Sequence, residues 1–202
     1  MVLGTVLVLA ALSLFLLNQR ESNAAGASAK KILPQIIEQT ETQNTADGSE
    51  DEPSYPDPYG PAMTEVEIDG YAYVRYLSIP VIELELPVMS EWDYPRLKTA
   101  PCRCFGSTKT SDLVICAHNC TRHFGPIRNL APGDLVSFTD MDGMIWEYEV
   151  VAVDILPPTN IEDMTAGDYD LTLFTCTYGG QSRVTVRCMC MVNGDSILKQ
   201  GE

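Results

Sequence analysis

The sequence is poor in basic residues: 13 lysines and arginines stand against 28 aspartates and glutamates, which gives a formal net charge of −15. Nucleic-acid binding needs clustered lysines and arginines that neutralise phosphates, and the basic residues here are few and scattered. We therefore expect no nucleic acid among the partners. Much of the acidity belongs to residues 21–70, where eleven acids face only Lys30 and Lys31.

The sequence also lacks the cysteine spacings that are typical of structural zinc sites. Such sites favour C-x2-C, whereas the chain has Cys102-x-Cys104 and Cys188-x-Cys190. A non-enzymatic β module that binds zinc is therefore a minor alternative, and we expect no metal and no other cofactor. Seven cysteines are an odd number, so at least one thiol is unpaired, as a thiol nucleophile requires. Bridges and plain burial both stay open for the other six.

The N-terminal segment Met1–Leu17 carries no charge. A stretch of roughly 17–25 apolar residues spans a bilayer, so residues 1–20 are predicted to form a membrane anchor or a signal segment. Small residues between 24 and 29 leave a signal-peptide cleavage site open. We favour the uncleaved anchor, which predicts a single-pass protein of the cell membrane with the remainder of the chain outside the cell.

Residues 21–69 are predicted to be an acidic, flexible linker. Their composition is rich in Glu, Thr, Ser, Asn, Asp and Pro, and such a segment buries too little apolar surface to offset the entropy lost on ordering. A small apolar cluster lies between residues 30 and 39 and is compatible with a short helix. Pro34 in its middle argues against a long one.

The sequence pattern of residues 70–202 is typical of a β domain. Between Ile82 and Val88 apolar residues alternate with Glu83, Glu85 and Pro87, which is typical of a half-buried strand. Turn signals separate further apolar runs, and only short helices fit between them. The other predicted strands are Tyr71–Ile79, Asp112–Cys116, Asp134–Thr139, Met144–Leu156, Leu171–Cys176 and Arg183–Val192. This spacing favours a mainly β sandwich or barrel.

Three residues at strand ends suggest thiol chemistry. Cys176 ends one predicted strand, where a rigid element would hold it at an exposed rim; a buried core cysteine is the alternative. His118 ends another apolar run, and a neighbouring imidazole stabilises a thiolate and protonates a leaving amine. The second of the two histidines, His123, is expected on the surface. Arg183 begins the strand that returns after Cys176, and a guanidinium there offers donors to an oxyanion unless it is merely solvated.

These residues together match a known pattern. Thr172–Cys176 (TLFTC) fits the TLxTC signature of sortases, and Arg183 falls where that family's catalytic arginine lies. The segment Ala117–Asn119 resembles the one that holds the family's catalytic histidine, although alanine replaces the usual glycine. The resemblance extends from Tyr71 to Met191.

The resemblance implies a closed eight-stranded β barrel with a few short helices, forming an extracellular catalytic domain over residues 70–202. It also implies a cysteine transpeptidase that cleaves a Leu-Pro-x-Thr-Gly-like sorting signal of an exported protein between Thr and Gly. Cys176 is the expected nucleophile, His118 the general acid and Arg183 the oxyanion donor. The acyl group would pass to an amine of the cell wall or of a pilin. The residues expected to contact the substrate beside these three are Thr175, Ala117 and Asn119.

Two details stay open at this level. The segment after Cys176 (Cys-Thr-Tyr-Gly-Gly) resembles class C and class D sortases, and we favour a class D-like enzyme with class C as the second choice. The tripeptide Asp57-Pro58-Tyr59 resembles the lid of class C enzymes, although a proline-rich linker produces the same triplet by chance. A hydrolase of the same fold, with water as the acceptor, is the main alternative function.

Overall fold

The computed structural model describes residues 2–45, 62–165 and 168–191. A long N-terminal helix, α1 (Val2–Thr45), precedes nine strands. The strands are β1 (Val66–Ile68), β2 (Tyr71–Ile79), β3 (Leu84–Met89), β4 (Cys102–Phe105), β5 (Leu113–Cys116), β6 (Leu135–Thr139), β7 (Ile145–Leu156), β8 (Leu171–Cys176) and β9 (Arg183–Cys190). Two short α-helices are α2 (Tyr94–Leu97) and α3 (Ile161–Thr165). The 3-10 helices are Pro80–Ile82, Thr108–Thr110 and Gly125–Asn129.

The sheet closes on itself. Its order is β1-β2-β3-β4-β5-β8-β9-β7-β6, and an additional pairing between β2 and β6 joins the two sides. Strand β1 pairs only with β2 and stands outside this circuit, so the barrel itself has eight strands. Closure of these eight strands pairs each of them on both sides, so β1 is the one edge strand among the described residues. The predicted closed, eight-stranded barrel is confirmed.

Alternating side chains fill the barrel. Leu113, Ile115 and Ala117 from the β5 region point into the same buried cluster as Leu171 and Leu173 of β8. Because successive strand residues point to opposite faces, the neighbours of these residues face outward. The side chains that point into the barrel are numerous and almost entirely apolar, so they form a single hydrophobic core.

The order and direction of the strands determine which strand ends lie next to each other. Strands β5 and β8 run parallel, with Cys116 beside Phe174. Strands β8 and β9 run antiparallel, with Cys176 beside Arg183. The C-terminal ends of β5 and β8 and the N-terminal end of β9 therefore lie at the same rim of the barrel.

Helix α1 occupies residues 21–45 of the predicted linker, and β1 lies near the end of that segment. Residues 46–61 lie outside the described residues. The continuous span of α1 includes Pro34, which the sequence reading took as a barrier to a long helix. Ile32 and Ile36 are buried in a second apolar cluster on the outside of the sheet, together with Tyr73 and Met89. This tertiary burial outweighs the local cost of the proline and of the polar composition.

The prediction of a membrane anchor is wrong. Over the ranges 2–45, 62–165 and 168–191, no helix is both long and apolar enough to cross a membrane. The predicted single-pass location in the cell membrane depended on this anchor, so it is corrected as well. Residues 2–17 form the first part of α1.

The packing of α1 predicts a stability difference between adjacent isoleucines. Ile36 is fully buried, whereas Ile37 is only half-buried. Ile36→Ala should lower the free energy of unfolding by about 2–5 kcal/mol through lost burial and a residual cavity. Ile37→Ala, the matched control, should lose clearly less. Urea unfolding followed by circular dichroism measures both, and equal losses would contradict this packing of α1.

Candidate active site

Cys176 is the last residue of β8 and is partly exposed at the rim. The two threonines of the TLFTC segment explain why this strand end is well fixed. The hydroxyl of Thr175 donates to the carbonyl of Ala117 at 2.8 Å, and the Arg187 guanidinium donates to the hydroxyl of Thr172 at 3.1 Å. Both threonines are buried, so each hydroxyl needs such a partner. The thiol is therefore presented by a strand whose polar groups are satisfied.

Arg183 lies directly across the strand pair from Cys176. Its Nη1 donates to the carbonyl oxygens of Gly180 and Ser182, both at 3.1 Å, and these bonds tie the guanidinium to the loop between β8 and β9. That loop is itself closed by a hydrogen bond from the Thr177 amide to the Ser182 carbonyl at 2.9 Å. The guanidinium is partly exposed, so its remaining donors can reach a ligand at the rim.

His118 follows β5 on a tight turn. The amide of Ala117 still pairs with β8, donating to the Phe174 carbonyl at 3.3 Å. The carbonyl of His118 then accepts from the amides of Cys120 at 2.9 Å and Phe124 at 3.2 Å. The backbone of His118 is thus anchored on both sides, and its imidazole is partly exposed.

The structure brings the three predicted residues together at one rim. Cys176 and Arg183 are register partners, and His118 directly follows the residue whose carbonyl binds Thr175. A thiol, an imidazole and a guanidinium in this arrangement have the elements of nucleophilic acyl transfer: a nucleophile, a proton donor and an oxyanion donor.

The residues predicted to contact the substrate occupy different places. Thr175 and Ala117 are buried, and the Thr175 hydroxyl donates to the Ala117 carbonyl beneath the rim. Their contact with a substrate stays a prediction. Asn119 is partly exposed, but its Oδ1 accepts from Nη2 of Arg128 at 2.8 Å. The possible lid, Asp57-Pro58-Tyr59, lies outside the described residues.

Sequence reasoning missed Arg128. It lies in the 3-10 helix Gly125–Asn129, and its Nε donates to the Gly125 carbonyl at 2.8 Å. Its guanidinium carbon also lies 4.4 Å from the centre of the Tyr178 ring, in the loop that follows Cys176. The signal available in the sequence was only an arginine ten residues after the histidine, which indicates nothing by itself.

His123 is not on the surface, as the sequence reading expected. Its side chain is fully buried behind the turn that carries His118. Burial, reinforced by the nearby His118, lowers the pKa of His123 to about 4. The imidazole is therefore neutral in the folded protein at neutral pH and contributes as a packed core group.

The other cysteines separate into a bridge and free thiols. Cys104 and Cys116 form a disulfide that joins β4 to the end of β5, two residues before His118. Cys102 and Cys188 are free and buried, and burial raises the pKa of each thiol to about 12. A thiol nucleophile must ionise, so these two are unsuited to the role, unlike the partly exposed Cys176. Within the described ranges, no cluster of three or more metal-ligating side chains occurs.

Comparison with known proteins gives a consistent result. The model of the sortase domain matches residues 77–191. Sortase C1 from Streptococcus suis is 26% identical, with 59% of this chain and 73% of that chain covered and a TM-score of 0.53. Sortase A from Corynebacterium diphtheriae is 17% identical (93% and 99% covered, TM-score 0.55), and the sortase D5 transpeptidase from Clostridium perfringens 13% (84% and 99%, TM-score 0.57). No curated protein matches the chain.

The buried His123 predicts a pH-dependent stability. Because its pKa falls from about 6.5 in the unfolded chain to about 4 in the fold, only the unfolded chain binds the proton between these values. The free energy of unfolding should thus fall by up to about 1.4 kcal/mol for each pH unit below 6.5, in addition to other groups. His123→Asn should have a correspondingly shallower slope in urea unfolding between pH 4.5 and 6. Parallel slopes would show that His123 does not titrate this way.

The disulfide predicts a second stability effect. Removing a bridge that closes a loop of this length, with a sequence separation of 12, should cost about 3 kcal/mol. Cys104→Ser should show this loss in urea unfolding, and a reductant should destabilise the unmodified protein but not this variant. The control is Cys190→Ser, which removes a free, partly exposed thiol. The bridge is ruled out if reductant leaves the unmodified protein unchanged.

Proposed function

The chain belongs to the sortase family of cysteine transpeptidases, and from this we propose that Cys176, His118 and Arg183 are its catalytic residues. The observation that carries the proposal is the common rim: Cys176 and Arg183 are register partners, and His118 directly follows the residue that Thr175 binds. The matched sortase model, residues 77–191, includes all three.

In the proposed first step, the Cys176 thiolate attacks the Thr-Gly carbonyl carbon of a sorting signal. The tetrahedral intermediate collapses to a thioester as the carbon–nitrogen bond breaks, and His118 donates a proton to the departing glycine amine. In the second step an acceptor amine attacks the thioester carbonyl and loses its proton to His118. An amide forms, and the Cys176 thiolate is released.

Arg183 stabilises the oxyanion in this scheme. Two loop carbonyls orient its guanidinium through Nη1, which leaves Nε and Nη2 to donate to the oxygen that becomes negative in each step. A preoriented donor of this kind acts on the transition state more strongly than on the uncharged substrate carbonyl. Arg187, on the same strand, is buried and binds Thr172, so it has a structural role.

We propose an exported protein with a Leu-Pro-x-Thr-Gly-like signal as the substrate and a cell-wall or pilin amine as the acceptor. The support for both is membership of the family. The class D-like assignment, with class C second, and the lid at Asp57-Pro58-Tyr59 also stay predictions, since the similar structures include sortases named A, C and D.

The test incubates the full chain with a Leu-Pro-x-Thr-Gly peptide and an amine such as triglycine, and follows the products by mass spectrometry. We expect a thioester on Cys176 and a ligated peptide. Cys176→Ala should abolish both products, whereas Cys190→Ala, a matched free thiol, should retain them. Free acid in place of ligated peptide indicates a hydrolase. Full activity of Cys176→Ala refutes the assigned nucleophile.

Arg183 and His118 can be separated by their kinetic effects. Arg183→Lys keeps the charge but loses the oriented donors, and kcat should fall by roughly 10²–10³-fold. His118→Ala removes the proton donor and should cost roughly 10²–10⁴-fold. Single-turnover measurement of thioester formation checks both. If either variant acylates at the unmodified rate, the role assigned to that residue is wrong.

A further inference from the structure

Two loops carry the catalytic groups beyond the ends of their strands. The histidine loop, residues 117–124, follows β5 and contains His118. The hairpin loop, residues 177–182, connects β8 to β9 and lies between Cys176 and Arg183. Strand pairing fixes both loops at their bases, but a catalytic imidazole and thiol need a spacing held within about half an ångström.

Arg128 contacts both loops at once. Towards the histidine loop, Nη2 donates to Oδ1 of Asn119 at 2.8 Å, and Asn119 directly follows His118. Nε donates to the Gly125 carbonyl at 2.8 Å, which orients the guanidinium plane. Two bonds from one planar group fix its direction as well as its distance.

Towards the hairpin loop, the same guanidinium lies over the aromatic ring of Tyr178, with its carbon 4.4 Å from the ring centre. Tyr178 is two residues after Cys176 and is 79% exposed. An exposed ring has little packing to hold it, so the attraction between the cation and the ring face is a main restraint on this part of the loop.

The base of the histidine loop is also packed closely against the helix that carries Arg128. A Cβ added at Gly125 would lie 2.6 Å from the Cys120 carbonyl oxygen, so the backbones of loop and helix are in contact. The Gly125 amide donates to this same oxygen at 2.9 Å. A displacement of Arg128 is therefore transmitted to the turn on which His118 lies.

We propose that Arg128 is a positioning residue for the transpeptidase reaction: by holding Asn119 and the Tyr178 ring on one guanidinium, it fixes the spacing between His118 and Cys176. This inference rests on the proposed function, since it assumes that His118 and Cys176 act together. Arg128 acts through its two neighbours and not on the substrate. It should therefore affect kcat and leave the KM for the sorting peptide nearly unchanged.

The first test measures kcat and KM for Arg128→Gln, Tyr178→Leu and the double variant. Arg128→Gln should lower kcat roughly tenfold, as expected for a misplaced catalytic group, with KM within twofold of the unmodified value. Tyr178→Leu, a change at an exposed position, should have a similar effect. The double variant should be no slower than the single ones, because the residues act as one unit. Multiplied losses, or a rise in KM alone, would overturn the proposal.

Conservative and control variants distinguish positioning from general damage. Tyr178→Phe keeps the ring under the cation and should recover most of the activity. Arg128→Lys keeps a cation over the ring but loses the planar donors to Asn119 and Gly125, so it should recover only part of the activity. Arg122→Gln changes an exposed arginine of the same loop that packs against Gly26 of α1, and it should behave like the unmodified chain. The proposal fails if Arg128→Gln is indistinguishable from Arg122→Gln.

A second measurement does not depend on the substrate. Iodoacetamide alkylates a thiolate, and an imidazolium nearby increases the share of this form. In peptide-mass mapping at pH 7, Cys176 should be alkylated several-fold more slowly in Arg128→Gln than in Arg122→Gln. If the unmodified chain forms no thioester with the peptide, the proposed function fails, while this alkylation difference still decides the role of Arg128. Equal alkylation rates would overturn that role.

Discussion

The hydrogen bond from the Thr175 hydroxyl to the Ala117 carbonyl joins the ends of two parallel strands that are far apart in sequence. It lies beneath the rim, in a buried position where an unpaired carbonyl would be costly. The residue after each partner is a candidate catalytic group, His118 on one side and Cys176 on the other. This buried contact therefore holds together the two strand ends that precede the candidate catalytic residues.

The charge distribution of the rim contrasts with that of the whole chain. The protein is strongly acidic, with a formal charge of −15, yet Arg183 is the register partner of Cys176 and Arg128 lies over the ring of Tyr178, two residues after it. Guanidinium groups at the rim can stabilise the oxyanion that develops during acyl transfer. The thiols of Cys102 and Cys188 lie buried in the fold, where burial raises their pKa.

Much of the fold was readable from the sequence because local pattern and tertiary structure agree there. Strands β2 and β8 coincide with the predicted spans, since each is rich in aromatic, β-branched and other apolar residues. Strand β4 was missed: its four residues, Cys-Arg-Cys-Phe, do not form the unbroken apolar run that identifies the equally short β5. Helix α1 was missed because the burial of Ile32 and Ile36 against the sheet, which the sequence does not reveal, outweighs a composition that disfavours a helix. His123 was misplaced because a loop position does not reveal whether its ring points inward.

The way α1 lies on the barrel bears on how this protein can be trimmed. Ile32 and Ile36 cover Tyr73, Met89 and Ile68 on the outer face of the sheet. A shortened chain starting at residue 62 would expose these side chains as a contiguous hydrophobic patch, and such patches promote self-association. The helix is thus part of the folding unit, and the smallest well-behaved fragment begins upstream of Ile32.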